Sequence, residues 1–270
     1  MGLDILDQLK PWKECRIDNL LRDAGKRHVY MVHVGVGWSM ARCRMGIGRR
    51  FARLDPLLKW LALDGFGFHE GYFNWPHYAE GGRAPAVIRG YGQRAFDQGL
   101  GRGLWFVGGA DPDYIISAIQ QFPEQRRDDL WSGVGLACTY AGGAEGSEIQ
   151  TLRLASGSAW IHLAQGAAFA AAARLRAGNI TAQTELSCQV LCRLSADEAA
   201  ETCDQSLANL APDDGAPAYE IWRYLIRERM MAIERGNDPQ PQPVRPSVER
   251  PLRFSGQSMV GESPLHRSNQ

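Results

Sequence analysis

Gly133-Val134-Gly135-Leu136-Ala137 echoes Gly35-Val36-Gly37-Trp38-Ser39-Met40-Ala41, 98 residues earlier. Leu61-Ala62-Leu63 follows the first block and Leu152-Arg153-Leu154-Ala155 follows the second. Each is succeeded by a polar residue directly before glycine, Glu70-Gly71 and Gln165-Gly166, 95 residues apart. Two landmarks at nearly one offset indicate a duplicated unit. Glycines inside apolar helical runs allow close helix crossings or leave room for a slender ligand.

Three segments place Glu or Gln directly before glycine beside aromatic or small residues: Phe68-His69-Glu70-Gly71-Tyr72-Phe73, Phe96-Asp97-Gln98-Gly99-Leu100-Gly101 and Ala164-Gln165-Gly166-Ala167-Ala168-Phe169. Glycine lets a backbone or ligand approach, and the neighbouring carboxylate or amide supplies a polar group there. The recurrence leads us to expect polar groups pointed at a shared interior.

Working outward, the chain reads as helix after helix. Leu3, Leu6, Leu9 and Trp12 recur at three-residue steps in a region, residues 1–25, that Pro11 interrupts. Residues 29–46 are apolar, a buried helix or a strand entering one. Asp55-Pro56 and Asp111-Pro112 place an N-cap acid before proline, a helix-start signature. Residues 74–92 hold Pro76, Pro85 and four glycines and read as a loop. Residues 124–141, 158–177, 181–194, 196–210 and 218–235 complete a helical second half, with Gly178-Asn179 as a stop signal. Alternating β-branched runs are sparse and no NG or DG hairpin is evident. The expectation is an all-α domain over residues 1–235, a duplicated helical unit packed as one body. From 236 to 270, six prolines among Ser, Gln and Arg indicate a disordered tail.

Composition narrows the function classes. Lys plus Arg and Asp plus Glu both count 30, so no basic excess attracts nucleic acid. No apolar run is long enough to span a bilayer. Met1-Gly2-Leu3-Asp4-Ile5-Leu6 lacks the features of a secretory signal, and six cysteines without a CxxC fit a reducing, cytoplasmic setting. Cys188 and Cys192 lie four apart on one helical face; buried free thiols are the reading preferred over a metal pair.

His69 sits among Phe68, Tyr72, Phe73, Trp75 and His77, beside Glu70. An imidazole next to a carboxylate in an apolar pocket can act as acid, base or ligand to haem or metal. The candidate catalytic residues are therefore His69 and Glu70, and the candidate substrate-binding residues Asp97, Gln98, Arg102 and Gln165. Asp97 and Arg102, five apart, are expected to pair with each other. The identities of any metal or cofactor are left open by the motifs. Neither GxGxxG in a βαβ unit, GxxxxGK[ST] nor GxSxG occurs.

Several blocks resemble one family. Met31-Val32-His33-Val34-Gly35-Val36-Gly37-Trp38, the run Leu57 to Phe73, Ala95-Phe96-Asp97-Gln98-Gly99-Leu100-Gly101-Arg102, and Asp129-Leu130-Trp131-Ser132-Gly133-Val134-Gly135-Leu136-Ala137-Cys138 look like signature blocks of the domain of unknown function 1702 family. The resemblance covers roughly residues 1–235. It implies a bacterial protein of enediyne-type polyketide biosynthesis, and carries no settled reaction or catalytic residue. Similar proteins have further sequence before the stretch resembling Met1 to Asp7, so the expectation is a chain that starts inside the domain. The expected function is action on, or binding of, an apolar polyene-like intermediate, with a small apolar molecule or a pathway enzyme as partner. The alternative is a non-catalytic binding or scaffold protein.

Overall fold

Helix signals in the sequence translate into helices at nearly the expected bounds. The computed structural model describes residues 16–236 except 24, 81, 209 and 211–214. The expectations for residues 1–15 and for the 237–270 tail lie outside the described residues. Thirteen α-helices are described: α1 (Arg16–Arg22), α2 (Val29–Cys43), α3 (Ile47–Arg53), α4 (Lys59–Phe73), α5 (Trp75–Tyr78), α6 (Tyr91–Val107), α7 (Pro112–Gln120), α8 (Glu124–Ala141), α9 (Gly146–Ala155), α10 (Trp160–Ala177), α11 (Ala182–Cys192), α12 (Ala196–Ala208) and α13 (Ala218–Glu234). No strand occurs among the described residues. The protein is all-α, and these helices pack as one domain.

Local chemistry sets the boundaries. Asp111 Oδ1 accepts from the Asp113 amide, and Pro112 opens α7 as expected. Gly178 ends α10 in the left-handed region at φ 69°, where an L side chain would be strained. Two boundaries differ from expectation. Asp55 accepts from the Leu57 and Leu58 amides, but a turn intervenes and α4 opens at Lys59 rather than at Pro56. The 74–92 loop contains the single turn α5, which starts with Pro76 in its first turn.

Five long helices, α2, α4, α6, α8 and α10, pack in a row in chain order. Between them run the short helices α3, α5, α7 and α9, with α11 after α10. The repeat is therefore finer than a single duplication: a long helix followed by a short one, five times over. Gly35, Gly65, Gly99, Gly133 and Gly166 mark it at intervals of 30, 34, 34 and 33 residues. The 98-residue offset spans three such steps. Gly71 is not the counterpart of Gly166; Gly65 is.

Two glycines per helix make this row. A Cβ built on Gly65 would lie 2.1 Å from the Val34 carbonyl oxygen, on Gly99 1.8 Å from that of Asp64, on Gly133 1.9 Å from that of Gln98, and on Gly166 1.9 Å from that of Ser132. Two residues on, Gly67, Gly101 and Gly135 meet the carbonyls of Phe96, Leu130 and Leu163 at 2.0–2.1 Å. One glycine thus faces the preceding long helix and the other the next. No side chain fits at such contacts. The residue between the two glycines, Phe66, Leu100 or Val134, is fully buried. The last long helix keeps Gly166 but carries Ala168 in the second position, and its onward neighbours are α11, α12 and α13. The row curls enough for the Lys26–His28 turn before α2 to touch α10. Helix α13 lies across its inner face, where Trp222 and Tyr30 rings stand 6.3 Å apart.

Candidate functional site

The residue before each first glycine points at the interior, and four of the five are polar: Val34, Asp64, Gln98, Ser132 and Gln165. All four polar ones are completely buried. They form a ladder across the crossings. Gln98 Nε2 donates to Asp64 Oδ2 at 2.9 Å and to the Tyr219 hydroxyl at 3.2 Å. Ser132 donates to Gln165 Oε1 at 3.0 Å, and lies 3.4 Å from Gln98 Oε1. Arg223 of α13 donates from Nε to Gln165 Oε1 at 3.0 Å and pairs with Asp129 at 2.8 Å. Arg102 closes the opposite end by pairing with Asp64. Gln98 and Gln165, singled out from sequence, thus belong to one network.

The Arg223 end is a charged cluster. Glu220 accepts from Tyr91 at 2.7 Å and pairs with Arg94, Arg223 and Arg227. Burial raises the Glu220 carboxyl, but the three arginines outweigh it and hold it at about 2. Burial, reinforced by Arg227 and Arg223, pushes His162 down to about 3, so it is neutral near pH 7. Burial also raises the Tyr91 hydroxyl well above its ordinary range. Every charge at this end has an opposite partner, as burial requires.

One helical turn beyond the ladder, at the fourth residue after each rung, stand Trp38, Phe68, Arg102, Leu136 and Phe169. Four are apolar; Arg102 is the exception. Beside this layer runs a slot of about 430 Å3, its open side included. Tyr30, Met31, Leu61, Tyr140, Ala172 and Trp222 line it together with Val34, Leu136, Phe169, Ala173 and Arg102. Arg102 is 4% exposed, its guanidinium lies 4.6 Å over the Phe68 ring, and its Nε–H has no hydrogen-bond partner. The slot is thus an apolar groove with a single charged side chain in its lining, and Asp64 already balances that charge.

Phe68 continues the apolar surface outward. Its ring stacks on Phe106 at 5.5 Å and meets Trp38 edge-on at 5.2 Å. Tyr72, Phe73 and Phe106 are 46%, 52% and 41% exposed. These rings and the slot share the Arg102–Phe68 contact.

The other residues singled out from sequence lie elsewhere. His69 is buried between Trp38 and Phe73, with ring centroids 5.6 and 4.9 Å away, and its Nδ1 stands 3.4 Å from Glu70 Oε1. Glu70 accepts from Arg44, Tyr78 and Asn74. Burial pulls its carboxyl up, but His69, Arg44 and Tyr78 together take it below the usual value. Neither residue lines the slot. Asp97 does not pair with Arg102. Five residues turn a helix by about 140° beyond one full turn, so the two face apart. Asp97 instead binds Arg126 through two hydrogen bonds, at 2.9 and 2.6 Å, and burial raises its carboxyl against that pairing. The polar-before-glycine residues thus divide: Gln98 and Gln165 share the ladder and Glu70 does not. Sequence reading does not place Asp64, Ser132, Tyr219 or Arg223 among the site residues. The 30–34-residue spacing of the glycines carries the signal for the first two, since each immediately precedes a marker glycine.

Among the described residues no cluster of His, Cys, Asp or Glu could hold a metal ion, and no helix is long and apolar enough to cross a membrane. Cys188 and Cys192 are buried free thiols, and Cys192 Sγ lies 3.3 Å from the Ala164 carbonyl oxygen.

These features define a glycine-crossed helical-repeat protein with a buried polar ladder and an apolar slot. More particularly, the chain belongs to the family described as protein of unknown function (DUF1702), which matches residues 1–230. Neither the curated proteins nor the solved structures contain a match.

Proposed function

We propose that this protein binds a slender apolar molecule in the slot between α13 and the row of long helices, as a holding protein in natural-product biosynthesis. The observation that carries the reading is the slot itself: an apolar lining drawn from five helices around one charge-compensated arginine on a sixth. A polyene-like chain of the enediyne or polyketide type suits a narrow groove with aromatic walls. Binding is favoured over catalysis because the titratable candidates His69 and Glu70 stand outside the slot, and Glu70 is engaged by Arg44, Tyr78 and Asn74.

The test is the fluorescence of diphenylhexatriene, a rod-shaped neutral polyene, titrated with protein. Emission should rise on binding, with energy transfer from tryptophan, since Trp222 lines the slot. Ala173→Phe should weaken binding by about tenfold or more, a loss of roughly 1.4 kcal/mol, with the helical circular dichroism unchanged. Absence of binding, or binding indifferent to Ala173→Phe, would overturn the reading.

A further inference from the structure

The repeat shows what is unusual about Arg102. At the same position on the other four long helices stand Trp38, Phe68, Leu136 and Phe169. One rung back, Asp64 is the acid among Val34, Gln98, Ser132 and Gln165. The two departures face each other and form an ion pair. Arg102 therefore brings hydrogen-bond donors to the slot while adding no net charge. Gln98 holds the second oxygen of Asp64, so the carboxylate is fixed between two partners. The Arg102 Nε–H, buried and unpartnered, is a standing cost for want of an acceptor.

From this arrangement we infer that the slot selects a slender apolar molecule carrying an uncharged oxygen acceptor, a carbonyl or hydroxyl, placed against Arg102. The inference rests on the slot reading above and narrows it. Three alternatives fare worse. A carboxylate brings a second negative charge beside buried Asp64 and has no unbalanced cation to meet it. An ammonium group meets the guanidinium. A plain hydrocarbon leaves the arginine donor unpaired. A neutral acceptor completes the hydrogen bonding without changing the charge.

The experiment compares three probes of equal chain length with the full-length protein: parinaric acid, its methyl ester and the matching octadecatetraene hydrocarbon. In the parent near pH 8 the ester should bind about tenfold more tightly than the ionised acid and measurably more tightly than the hydrocarbon. Arg102→Met, similar in bulk and apolar, should bring ester and hydrocarbon to equal affinity. Asp64→Asn uncovers the arginine charge and should turn the preference toward the acid. If that variant does not fold, the parent alone decides: affinity for the acid should rise as pH is lowered and its own carboxyl protonates. An acid that binds as tightly as the ester in the parent, or an affinity for it that does not change with pH, overturns the inference. If no probe binds, the slot reading falls as well, so the two failures are distinguishable.

Discussion

Gln98 Nε2 donates to Asp64 Oδ2 at 2.9 Å across the same crossing at which Gly99 admits the Asp64 backbone. A Cβ on Gly99 would lie 1.8 Å from the Asp64 carbonyl oxygen. Close approach and polar contact are thus one feature. The glycine brings the backbones together, and the residue before it reaches the residue before the previous glycine. Repetition at Ser132-Gly133 and Gln165-Gly166 makes the ladder.

The glycine substitutions should separate by register. Gly166→Ala forces backbone apart from backbone and should cost at least about 3 kcal/mol, the upper end of overpacking. Gly71→Ala meets the Leu100 carbonyl oxygen at 2.9 Å and Gly103 Cα at 3.2 Å. A smaller shift relieves it, at roughly 1 kcal/mol. Gly48, in α3, has open space around it, and Gly48→Ala should be neutral or gain up to about 1 kcal/mol of helix propensity. Urea unfolding of the three variants measures the order; Gly166→Ala at parental stability would remove the tight-crossing account.

Asp64 and Arg102 should be strongly coupled. Asp64→Leu leaves a buried guanidinium without its counter-charge, and Arg102→Met leaves a buried carboxylate, each costing about 3–5 kcal/mol. The double variant should cost clearly less than the two added together. Additive losses in the unfolding free energies would mean that the pair acts independently.

Glu220 predicts a pH dependence. Its carboxyl is held at about 2 in the folded protein, against 4.5 as the ordinary value. A depressed folded value stabilises above the unfolded value and is lost as pH falls toward the folded one. The contribution is about 3 kcal/mol near pH 7. The stability gap between parent and Glu220→Gln should therefore narrow by roughly 2 kcal/mol between pH 7 and pH 3. A gap constant with pH would show that the three arginines do not hold Glu220 ionised.

His69 offers a check on where the ligand sits. Its ring packs between Trp38 and Phe73, away from the slot lining. His69→Phe should change diphenylhexatriene affinity by less than about twofold, under roughly 0.4 kcal/mol. A tenfold loss would place the ligand at His69 instead.

Much of the helical framework was legible because its signals are local. Asp111-Pro112 opens α7 and Gly178 closes α10, and both act within a few residues of themselves. The glycines are legible as crossing points, but the match of Gly35 with Gly133 hides three steps of about 33 residues inside one 98-residue offset, and the match of Gly71 with Gly166 is out of register. Within the site, Gln98 and Gln165 are legible through the pattern of Glu or Gln before glycine and Arg102 through its place beside Asp97 and Gln98, whereas the roles of Asp64 and Ser132 are not, because one-residue context hides a repeat that spans five helices.

Side-chain partnership was decided by the tertiary structure. Asp97 and Arg102 suggest a pair by proximity in sequence, yet Asp97 binds Arg126 and Arg102 binds Asp64, 29 and 38 residues away. Glu70 and Gln98 look alike beside their glycines, yet one is held by Arg44 and Tyr78 and the other by Asp64 and Tyr219. By itself the chain determines an all-α protein with glycines where helices must cross, since helix starts, stops and backbone clearance are properties of short segments. Which buried charges meet, and where an apolar slot remains open between α13 and the row, follows from the angle and register at which those helices cross, and these exist only once the whole row has packed.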